Sequence, residues 1–256
     1  MSKRMPALFV GHGSPMNAIE NNEYTKAWEE IGKQIVKPEA ILSISAHWYT
    51  KGTKISDAPK PKVIYDMYGF PDALYHVIYQ PDGSPKLAHD TMSLISSAVK
   101  ADNSWGIDHG TWSVLCRMYP KADIPVYQLS VDADASAATH FRIGRELASL
   151  RDKGVMIFGS GNVVHNLSRV NWGMDDGYSW ASEFDGYIKE KIVSSQYDDV
   201  MDYSKAGPSA ALAFNTPDHF APLLYVLGSS SRSDKLKVFN DSCTLGALSM
   251  TCYLFE

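Results

Sequence analysis

The sequence predicts an α/β fold in which a mostly parallel central sheet is covered by helices on both faces. Two observations carry this prediction. Short apolar runs, which are typical of strands buried on both faces, recur along the chain. Segments with apolar residues at helical spacing separate these runs, and strands that alternate with helices are the pattern of a parallel sheet.

The predicted strands are short and contain few charged residues. Four of them are expected to be buried in the sheet: Ala7–Val10, Ala40–Ala46, Pro125–Val131 and Val155–Gly159. Near the end of the sequence, Leu236–Phe239 and Leu248–Phe255 are also predicted as strands. We expect the last of these to run antiparallel or to lie at an edge of the sheet.

The predicted helices lie between the strands and carry apolar residues three or four positions apart, which puts them on one face. Ser84 and Pro85 provide an N-cap and a first-turn proline for a helix that we expect to run to about Ala101. Gly154 is expected to end the helix Ser136–Arg151. The predicted helices are Glu23–Ile35, 84–101, Ser136–Arg151 and a segment with an apolar stripe of Trp180, Phe184, Tyr187, Ile188 and Ile192.

The chain of 256 residues is predicted to form one catalytic domain, residues 1–256, because no linker-like Gly/Ser/Pro tract divides it. The segment Trp48–Gln80 is the least regular part, with prolines at 59, 61 and 71. This segment, residues 48–80, is interpreted as an insertion, as a lid or as a small hairpin layer over the site.

Charge and composition exclude several classes of protein. The net charge is −5, with 24 Lys and Arg against 29 Asp and Glu, so the basic face of a nucleic-acid or anionic-membrane binder is not expected. The longest strongly apolar stretches, such as Ala221–Leu227, are far shorter than the roughly 20 residues that span a bilayer. Three cysteines without CxxC spacing indicate neither a disulfide framework nor a zinc ribbon, and no signal peptide is recognisable. We therefore expect a soluble, cytoplasmic protein.

Three of the eight histidines come at or shortly after the end of a predicted strand. His12 follows Ala7–Val10, His47 follows Ala40–Ala46, and His165 lies a few residues past the strand that ends at Gly159. Because the carboxyl ends of parallel strands meet at one edge of a sheet, we expect these imidazoles to converge there. Imidazole is the commonest metal ligand, so the pattern indicates a divalent metal site. Each histidine taken alone is equally well explained as a hydrogen-bonded loop residue.

Two further histidines are candidates for the same site. His219 follows Thr216, which is expected to cap a helix, and it is either a fourth member of the cluster or a surface residue at the helix start. His109 stands where a loop meets the predicted helix Trp112–Met118, which favours an acid/base or hydrogen-bonding role over ligation. The remaining histidines are interpreted as structural: His76 in a strand-like segment, and His89 and His140 within helices.

Other polar groups give weaker signals. Asp66, Asp108 and Asp218 could orient the imidazoles by hydrogen bonds, but each is equally well explained as a solvated turn residue. Gly159-Ser160-Gly161 lacks the spacing of a nucleophile elbow. Gly11-His12-Gly13 lacks the continuation of a nucleotide-binding loop.

Five segments, in order along the chain, resemble the motifs of one enzyme family. They are Gly11-His12-Gly13-Ser14-Pro15, Ser45-Ala46-His47-Trp48, Asp108-His109-Gly110-x-Trp112, Gly159-Ser160-Gly161-Asn162-x-x-His165-Asn166 and Thr216-Pro217-Asp218-His219. Together they resemble the class III extradiol ring-cleavage dioxygenases, and within them the 4,5-DOPA extradiol dioxygenase branch. The resemblance runs from residue 7 to about residue 227 and extends towards the C-terminus.

The resemblance implies an enzyme that binds a catechol through both oxygens on a mononuclear non-haem Fe(II) and inserts O₂ beside the diol. By similarity, His12, His47 and His219 hold one divalent metal ion. His165 is the acid/base next to the ion and a further candidate ligand. His109 hydrogen-bonds the substrate or dioxygen intermediates.

One feature departs from the broader group, in which two histidines and a carboxylate form the usual oxygenase triad. The matching third position here is His219, and nitrogen-rich sites suit Zn²⁺, so we expect zinc in the purified protein and Fe(II) for dioxygenase activity. Two alternatives stay open: a zinc-dependent hydrolase that uses the same histidines, and a non-enzymatic α/β protein that binds a metal or another ligand.

The expected partners are a small aromatic diol such as DOPA and O₂. Aromatic residues are frequent in Trp48–Tyr79 and could wall a pocket for a flat ring, although a core or interface role explains them equally well. A carboxylated amine substrate would need a charged anchor, and no single one stands out among the 24 Lys and Arg. The native catechol and the oligomeric state are left open by the sequence.

Overall fold

The computed structural model describes residues 4–256. The strands are β1 (Ala7–Gly11), β2 (Ala40–Thr50), β3 (Thr53–Ile55), β4 (Val99–Ala101), β5 (Val126–Asp132), β6 (Val155–Gly161), β7 (Leu236–Phe239), β8 (Cys243–Thr244), β9 (Leu248–Ser249) and β10 (Cys252–Phe255). The α-helices are α1 (Glu23–Gln34), α2 (Asp72–Tyr75), α3 (Pro85–Leu94), α4 (His109–Met118), α5 (Ala137–Leu147), α6 (Ser179–Val193), α7 (Tyr197–Met201), α8 (Ala210–Ala213) and α9 (Ala221–Ser229).

Eight of the strands form one sheet in the order β4-β3-β5-β2-β6-β1-β10-β7. Its centre is parallel, because β6 pairs in parallel with both β1 and β2, and β2 pairs in parallel with β5. At one side, β10 pairs antiparallel with both β1 and β7. The predicted mixed α/β fold with a mostly parallel sheet is confirmed.

Both faces of the sheet are covered, as the unbroken apolar strands predict. In β1, Phe9 packs into the core on one face, whereas Leu8 and Val10 pack into the core on the other, because successive side chains of a strand point in opposite directions. The first core includes residues of α5, α6 and α9, and the second includes residues of α1 and α4. Within residues 4–256, no helix combines the length and the apolar character that crossing a bilayer requires.

The helix expected to reach Ala101 is shorter than predicted. It ends at Leu94, Ile95 is extended, and residues 99–101 form the edge strand β4. Ser96 explains the break, since its backbone N–H and its hydroxyl both donate to Glu146 and so hold the chain away from helical geometry. The N-terminal end at Ser84 and Pro85 is as predicted, although the Ser84 side chain makes no capping bond.

Three histidines lie in local structure that differs from the prediction. His47 does not follow β2 but lies within it, because β2 continues to Thr50 after a shift in its register with β5 between Ile44 and Tyr49. His109 is the first residue of α4 rather than a loop residue before it. His76 ends the short helix α2 and is exposed, so the strand-like interpretation of residues 75–80 was wrong.

Two boundaries near the C-terminus also differ. The helix expected after Thr216 begins only at Ala221, and His219 lies in the turn before it. The predicted strand Leu248–Phe255 is divided into β9 and β10. The antiparallel direction predicted for it is confirmed, but β10 lies inside the sheet and β7 forms the edge.

Candidate metal centre and cavity

Five histidines converge at the edge of the sheet where the parallel strands end. His12 follows β1, His47 lies in β2, His165 lies shortly after β6, His109 begins α4 and His219 precedes α9. The ring centroids of His12, His47 and His219 are 5.0 to 5.3 Å from one another. The centroid of His109 is 3.9 Å from that of His47, and His165 stacks on His219. The expected convergence of the imidazoles is therefore observed.

The outward contacts of His12 and His47 favour hydrogen on Nδ1 of each ring. The Ser160 hydroxyl donates to the carbonyl oxygen of Gly110, so its oxygen can only accept from Nδ1 of His12, 3.0 Å away. Nδ1 of His47 lies 3.4 Å from a carboxylate oxygen of Asp66, which also only accepts. With hydrogen on Nδ1 of each ring, both Nε2 atoms carry lone pairs, and these two atoms lie 3.2 Å apart.

In His219 too, a polar group holds Nδ1. Its Nδ1 contacts the carboxylate of Asp218, which is itself held by the hydroxyl of Thr216. Its Nε2 is buried and has no hydrogen-bond partner among the described residues. A buried polar atom without a partner is costly, so this nitrogen requires an explanation beyond packing.

These positions fit a divalent ion. Two nitrogens bound to one tetrahedral ion at 2.0–2.1 Å are about 3.3 Å apart, close to the separation of the His12 and His47 Nε2 atoms. Facing lone pairs repel each other, whereas a shared cation makes both contacts favourable. One ligand atom from each of His12, His47 and His109 also lies within 4.8 Å of the others. His12 and His47 thus belong to both candidate sets, and His219 and His109 are the candidates for a third ligand.

Burial keeps these imidazoles neutral, the state in which they can bind a metal. Burial, and then the charge of neighbouring histidines, holds the pKa of His12 and of His219 well below the ordinary value. Burial lowers the pKa of His47 to about 3 and that of His165 to about 4. Neutral rings at physiological pH are therefore expected, and each offers a lone pair.

His165 lies beside the cluster but is held differently. Its backbone N–H donates to the carbonyl oxygen of Ala213, which fixes the loop. Its ring stacks on His219 with the centroids 3.4 Å apart and lines the cavity, and no hydrogen bond to its ring nitrogens occurs within residues 4–256. A neutral imidazole facing a cavity in this way can exchange a proton with a bound ligand.

Asp66 links His47 and His109. One of its carboxylate oxygens accepts from the backbone N–H of His109 at 2.8 Å and lies 3.0 Å from Nδ1 of the same residue, and the other faces His47. Burial opposes ionisation of Asp66, but the interactions with the two histidines outweigh it and lower the pKa of the carboxyl. Asp66 lies in the irregular segment, which thus reaches the centre of the site.

Asp108 caps helix α4 and does not hydrogen-bond to an imidazole within residues 4–256. It is fully buried, caps α4 by accepting from the backbone N–H of Thr111, and accepts from Ser45 and Gln128. Burial raises the pKa of its carboxyl. Of the three aspartates considered from the sequence, Asp66 and Asp218 contact imidazoles, and Asp108 fixes the helix that begins with His109.

Two glycines, Gly161 and Gly110, leave space for the backbone of His219 and the ring of His47. A Cβ atom on Gly161 would lie 2.1 Å from the carbonyl oxygen of His219, which accepts from the neighbouring Asn162 N–H. A Cβ atom on Gly110 would lie 2.8 Å from Cδ2 of His47. Bulkier residues at these positions would push two of the candidate ligands out of place.

The histidines form the floor of a cavity of about 380 Å³. Its walls are largely apolar, and most of them come from segments outside the central sheet. Met67, Tyr68 and Phe70 belong to the irregular segment, and Leu167 and Trp172 belong to the loop that follows His165. His76, His89 and His140 are not part of this cavity and have partners elsewhere in Asp72, Asp57 and Tyr225.

Comparison with known proteins identifies the family. Residues 6–255 match the family model described as the catalytic LigB subunit of aromatic ring-opening dioxygenase. The chain belongs to this family. It is 45% identical over 256 residues to 4,5-DOPA dioxygenase extradiol of Escherichia coli (strain K12), covering 97% of this chain and 94% of that protein. It is 36% identical over 255 residues to 4,5-DOPA dioxygenase extradiol of Beta vulgaris, covering 97% and 95%.

The fold agrees with this assignment to the LigB family. The crystal structure of an uncharacterized protein from Escherichia coli K12 superposes with a TM-score of 0.87 at 40% identity, covering 99% of this chain and 100% of that one. The resemblance stated from the sequence motifs is confirmed, and the family is metal-dependent. The extradiol dioxygenase names of the relatives also agree with the predicted enzyme class.

Sequence reasoning missed several residues of this LigB-family site. The sequence around Ser160 raises only the possibility of a nucleophile elbow, whereas in the structure its hydroxyl oxygen lies 3.0 Å from Nδ1 of His12. Its position directly after the predicted strand Val155–Gly159, between two glycines, is the signal in the sequence that relates it to the site. Leu167 and Trp172 carried no signal, because nothing in their spacing relates them to the histidines.

Proposed function

We propose that this chain is a metal-dependent extradiol dioxygenase that opens the ring of a catechol such as DOPA. The observation that carries the proposal is the arrangement of three imidazoles whose Nδ1 atoms face Ser160, Asp66 and Asp218, so that three lone pairs on Nε2 atoms are directed inwards. The names of the relatives supply the reaction class.

In this proposal His12, His47 and His219 hold one divalent ion. Bound there, the ion would lower the pKa of the catechol hydroxyls and bring the diol and O₂ together. In the overall reaction the carbon–carbon bond beside the diol breaks, and both oxygen atoms of O₂ enter the product, which carries an aldehyde and a carboxylic acid. No external reductant is consumed.

His165 is the acid/base of the proposed reaction. A ring nitrogen takes the proton from a catechol hydroxyl and later returns one to the product. Its pKa of about 4 means that the ring is neutral at pH 7 and ready to accept. It is also retained as a further candidate ligand, because it stacks against His219.

His109 is proposed to hydrogen-bond the substrate or the oxygen-derived groups. Asp66 accepts from the backbone N–H of His109 and so holds the residue at the cavity, while the buried Nδ1 atom has no hydrogen-bond partner among the described residues. The irregular segment, residues 48–80, acts in this proposal as a lid on a single domain, since Asp66, Met67 and Tyr68 all border the cavity.

The metal is proposed to be Fe(II) in the active enzyme and Zn(II) in protein as purified. All the candidate donors are nitrogen atoms, which suit zinc, but Zn²⁺ has no redox chemistry with which to activate O₂. Cytoplasmic location remains a prediction from the sequence.

Oxygen uptake tests the proposal. Metal-free protein loaded anaerobically with Fe(II) is mixed with a substituted catechol, and O₂ consumption is recorded with the absorbance of the yellow ring-opened product. We expect one O₂ per catechol, none with zinc, and full activity in the control variant His76→Ala. Ester or amide hydrolysis by zinc-loaded protein that is inert towards catechols would favour the hydrolase instead. Metal binding without either activity would favour a binding protein.

A further inference from the structure

Helix α6 contains a buried carboxylate that the proposed reaction does not use. Asp185 is 4% exposed, and its two carboxylate oxygens accept from the hydroxyls of Ser249 and Thr251 at 2.5 and 2.8 Å. Burial raises the pKa of this carboxyl to about 6, so at pH 7 it is ionised and both hydroxyls donate to it. Burying a charge costs free energy, and packing alone does not explain one here.

Ser249 also holds the loop that carries His165. Its backbone N–H donates to the carbonyl oxygen of Val164 at 2.9 Å, and its carbonyl oxygen accepts from the side-chain amide of Asn162 at 2.7 Å. The preceding residue, Leu248, pairs with His165 in an isolated antiparallel β-bridge. Strand β9 is thus bonded to the loop just before the imidazole and at the histidine itself.

The same segment adjoins the backbone of two candidate ligands. Asn162 donates its backbone N–H to the carbonyl oxygen of His219 at 2.9 Å, while its side chain bonds to Ser249. A Cβ atom on Gly11, the residue before His12, would lie 2.8 Å from the carbonyl oxygen of Ser249. A shift of this serine would therefore disturb the backbone beside both ligands.

Thr251 bonds to the same carboxylate but has a different position in the network. Its side chain is as deeply buried as that of Ser249, and its backbone N–H donates to the Ser249 hydroxyl oxygen. Within residues 4–256, no hydrogen bond joins Thr251 to residues 162–166. Loss of either hydroxyl removes one donor from Asp185, but only one of the two hydroxyls belongs to a residue bonded to the His165 loop.

We propose that Asp185 is a positioning residue for His165: through the Ser249 hydroxyl it fixes the loop that presents this imidazole to the cavity. The inference rests on the proposed function, in which His165 moves protons, and adds to it a residue that does not line the cavity. A proton acceptor must lie about 2.6–3.2 Å from the group it deprotonates. Misplacement by about 1 Å can cost roughly 10²-fold in rate, so a rigid loop has a direct effect on turnover.

Histidine resonances test the positioning without turnover. Zinc-loaded protein is prepared with ¹³C-labelled histidine, and the ring signal of His165 is assigned by its loss in His165→Ala. We expect Ser249→Ala to shift this signal, because the loop loses its support from the carboxylate, and Thr251→Val to leave it in place. An unshifted signal in Ser249→Ala, or equal shifts in the two variants, overturns the inference.

Kinetics with Fe(II)-loaded protein separates this inference from the proposed function. We expect Ser249→Ala to lower kcat by about tenfold with KM and metal content close to those of the parent, and Thr251→Val to leave kcat nearly unchanged. If the parent cleaves catechols but the two variants have equal kcat, only the inference fails. If the parent cleaves none, the proposed function fails, and the resonances still decide the positioning.

Variants of Asp185 connect the effect to its hydrogen bonds. Asp185→Asn should keep kcat close to that of the parent, because a hydroxyl can donate or accept and an amide can therefore keep both bonds. Asp185→Ala should lower kcat as Ser249→Ala does, and the double variant should lose little more, since both changes remove one contact. An equal loss in Asp185→Asn and Asp185→Ala, or additive losses in the double variant, overturns the inference. Ser249→Ala keeps the backbone bonds of the segment and carries the test alone if Asp185→Ala does not fold.

Discussion

The imidazole rings of His165 and His219 lie parallel, with their centroids 3.4 Å apart and 4° between their planes. They are nevertheless fixed by different groups. Asp218 contacts Nδ1 of His219, whereas His165 is positioned through its backbone N–H and the carbonyl oxygen of Ala213. The two rings can therefore serve different roles. His219 is oriented by Asp218 as a candidate ligand, whereas the ring of His165 is available for proton transfer.

Replacing His165 should impair turnover far more than metal binding. We expect His165→Ala to lower kcat by about 10²- to 10⁴-fold, the range for removal of a general acid/base, with metal content close to that of the parent. Steady-state oxygen uptake and elemental analysis of the same sample measure both. His89→Ala is the control, since its ring pairs with Asp57 away from the cavity. Metal loss in proportion to activity would instead make His165 a ligand.

The third ligand can be identified by comparing His219→Ala with His109→Ala. We expect His219→Ala to lose bound metal, because Asp218 contacts its Nδ1 and so orients the buried Nε2, which has no partner within residues 4–256, and His109→Ala to retain metal with reduced activity. Metal content after dialysis against a weak chelator is the measurement. The opposite result would assign the ion to the set His12, His47 and His109, whose ligand atoms lie within 4.8 Å of one another.

Asp66→Asn should weaken metal binding although Asp66 is not a proposed ligand. Its carboxylate faces Nδ1 of both His47 and His109, and loss of such an orienting partner typically costs 10- to 100-fold in metal affinity or activity. A competitive chelator titration gives the affinity. Asp57→Asn is the matched control, because Asp57 pairs with His89 outside the site. Equal affinities in the two variants would rule out an orienting role.

His140 should make stability depend on pH independently of the metal site. It is 4% exposed, bonds to the Tyr225 hydroxyl, and burial lowers its pKa to about 4. Since the unfolded residue has a pKa near 6.5, it takes up a proton on unfolding between about pH 6.5 and 4, so its contribution to stability falls as the pH falls through that window.

At pH 5 this loss amounts to about 2 kcal/mol relative to pH 7. His140→Gln should therefore show a smaller decrease in the free energy of unfolding between pH 7 and pH 5 than the parent protein, by about that amount. Urea unfolding of metal-free protein at both pH values checks it. An equal decrease in the free energy of unfolding of both proteins would show that His140 does not contribute to this pH dependence.

Gly161→Ala should destabilise the protein by about 1–3 kcal/mol or more, because the added Cβ would lie 2.1 Å from the carbonyl oxygen of His219. Gly186→Ala, where nothing lies within 4 Å of the added atom, should be neutral or stabilising by about 0.5–1 kcal/mol, since Gly186 is in the interior of α6. Urea midpoints compare the two. A similar midpoint for both variants would show that the turn containing His219 moves to accommodate the added methyl group.

Some parts of the candidate site follow from the sequence, and others depend on tertiary structure. The strands around His12 and His165 were predictable, because a parallel strand buried on both faces needs an apolar run and ends in a loop. The position of β10 inside the sheet was not, since a short apolar run carries no information about its neighbours. The contacts of Asp66 were not predictable either, because they depend on how an irregular segment folds across the site.

The pairing of β10 with β1 bears on the order in which the molecule assembles. β1 precedes the other strands along the described chain, yet one of its two neighbours comprises residues 252–255. The histidines likewise range from position 12 to position 219. Contacts so distant in sequence form slowly and late. A nascent chain on the ribosome therefore has no complete set of candidate ligands until the segment with His219 has emerged.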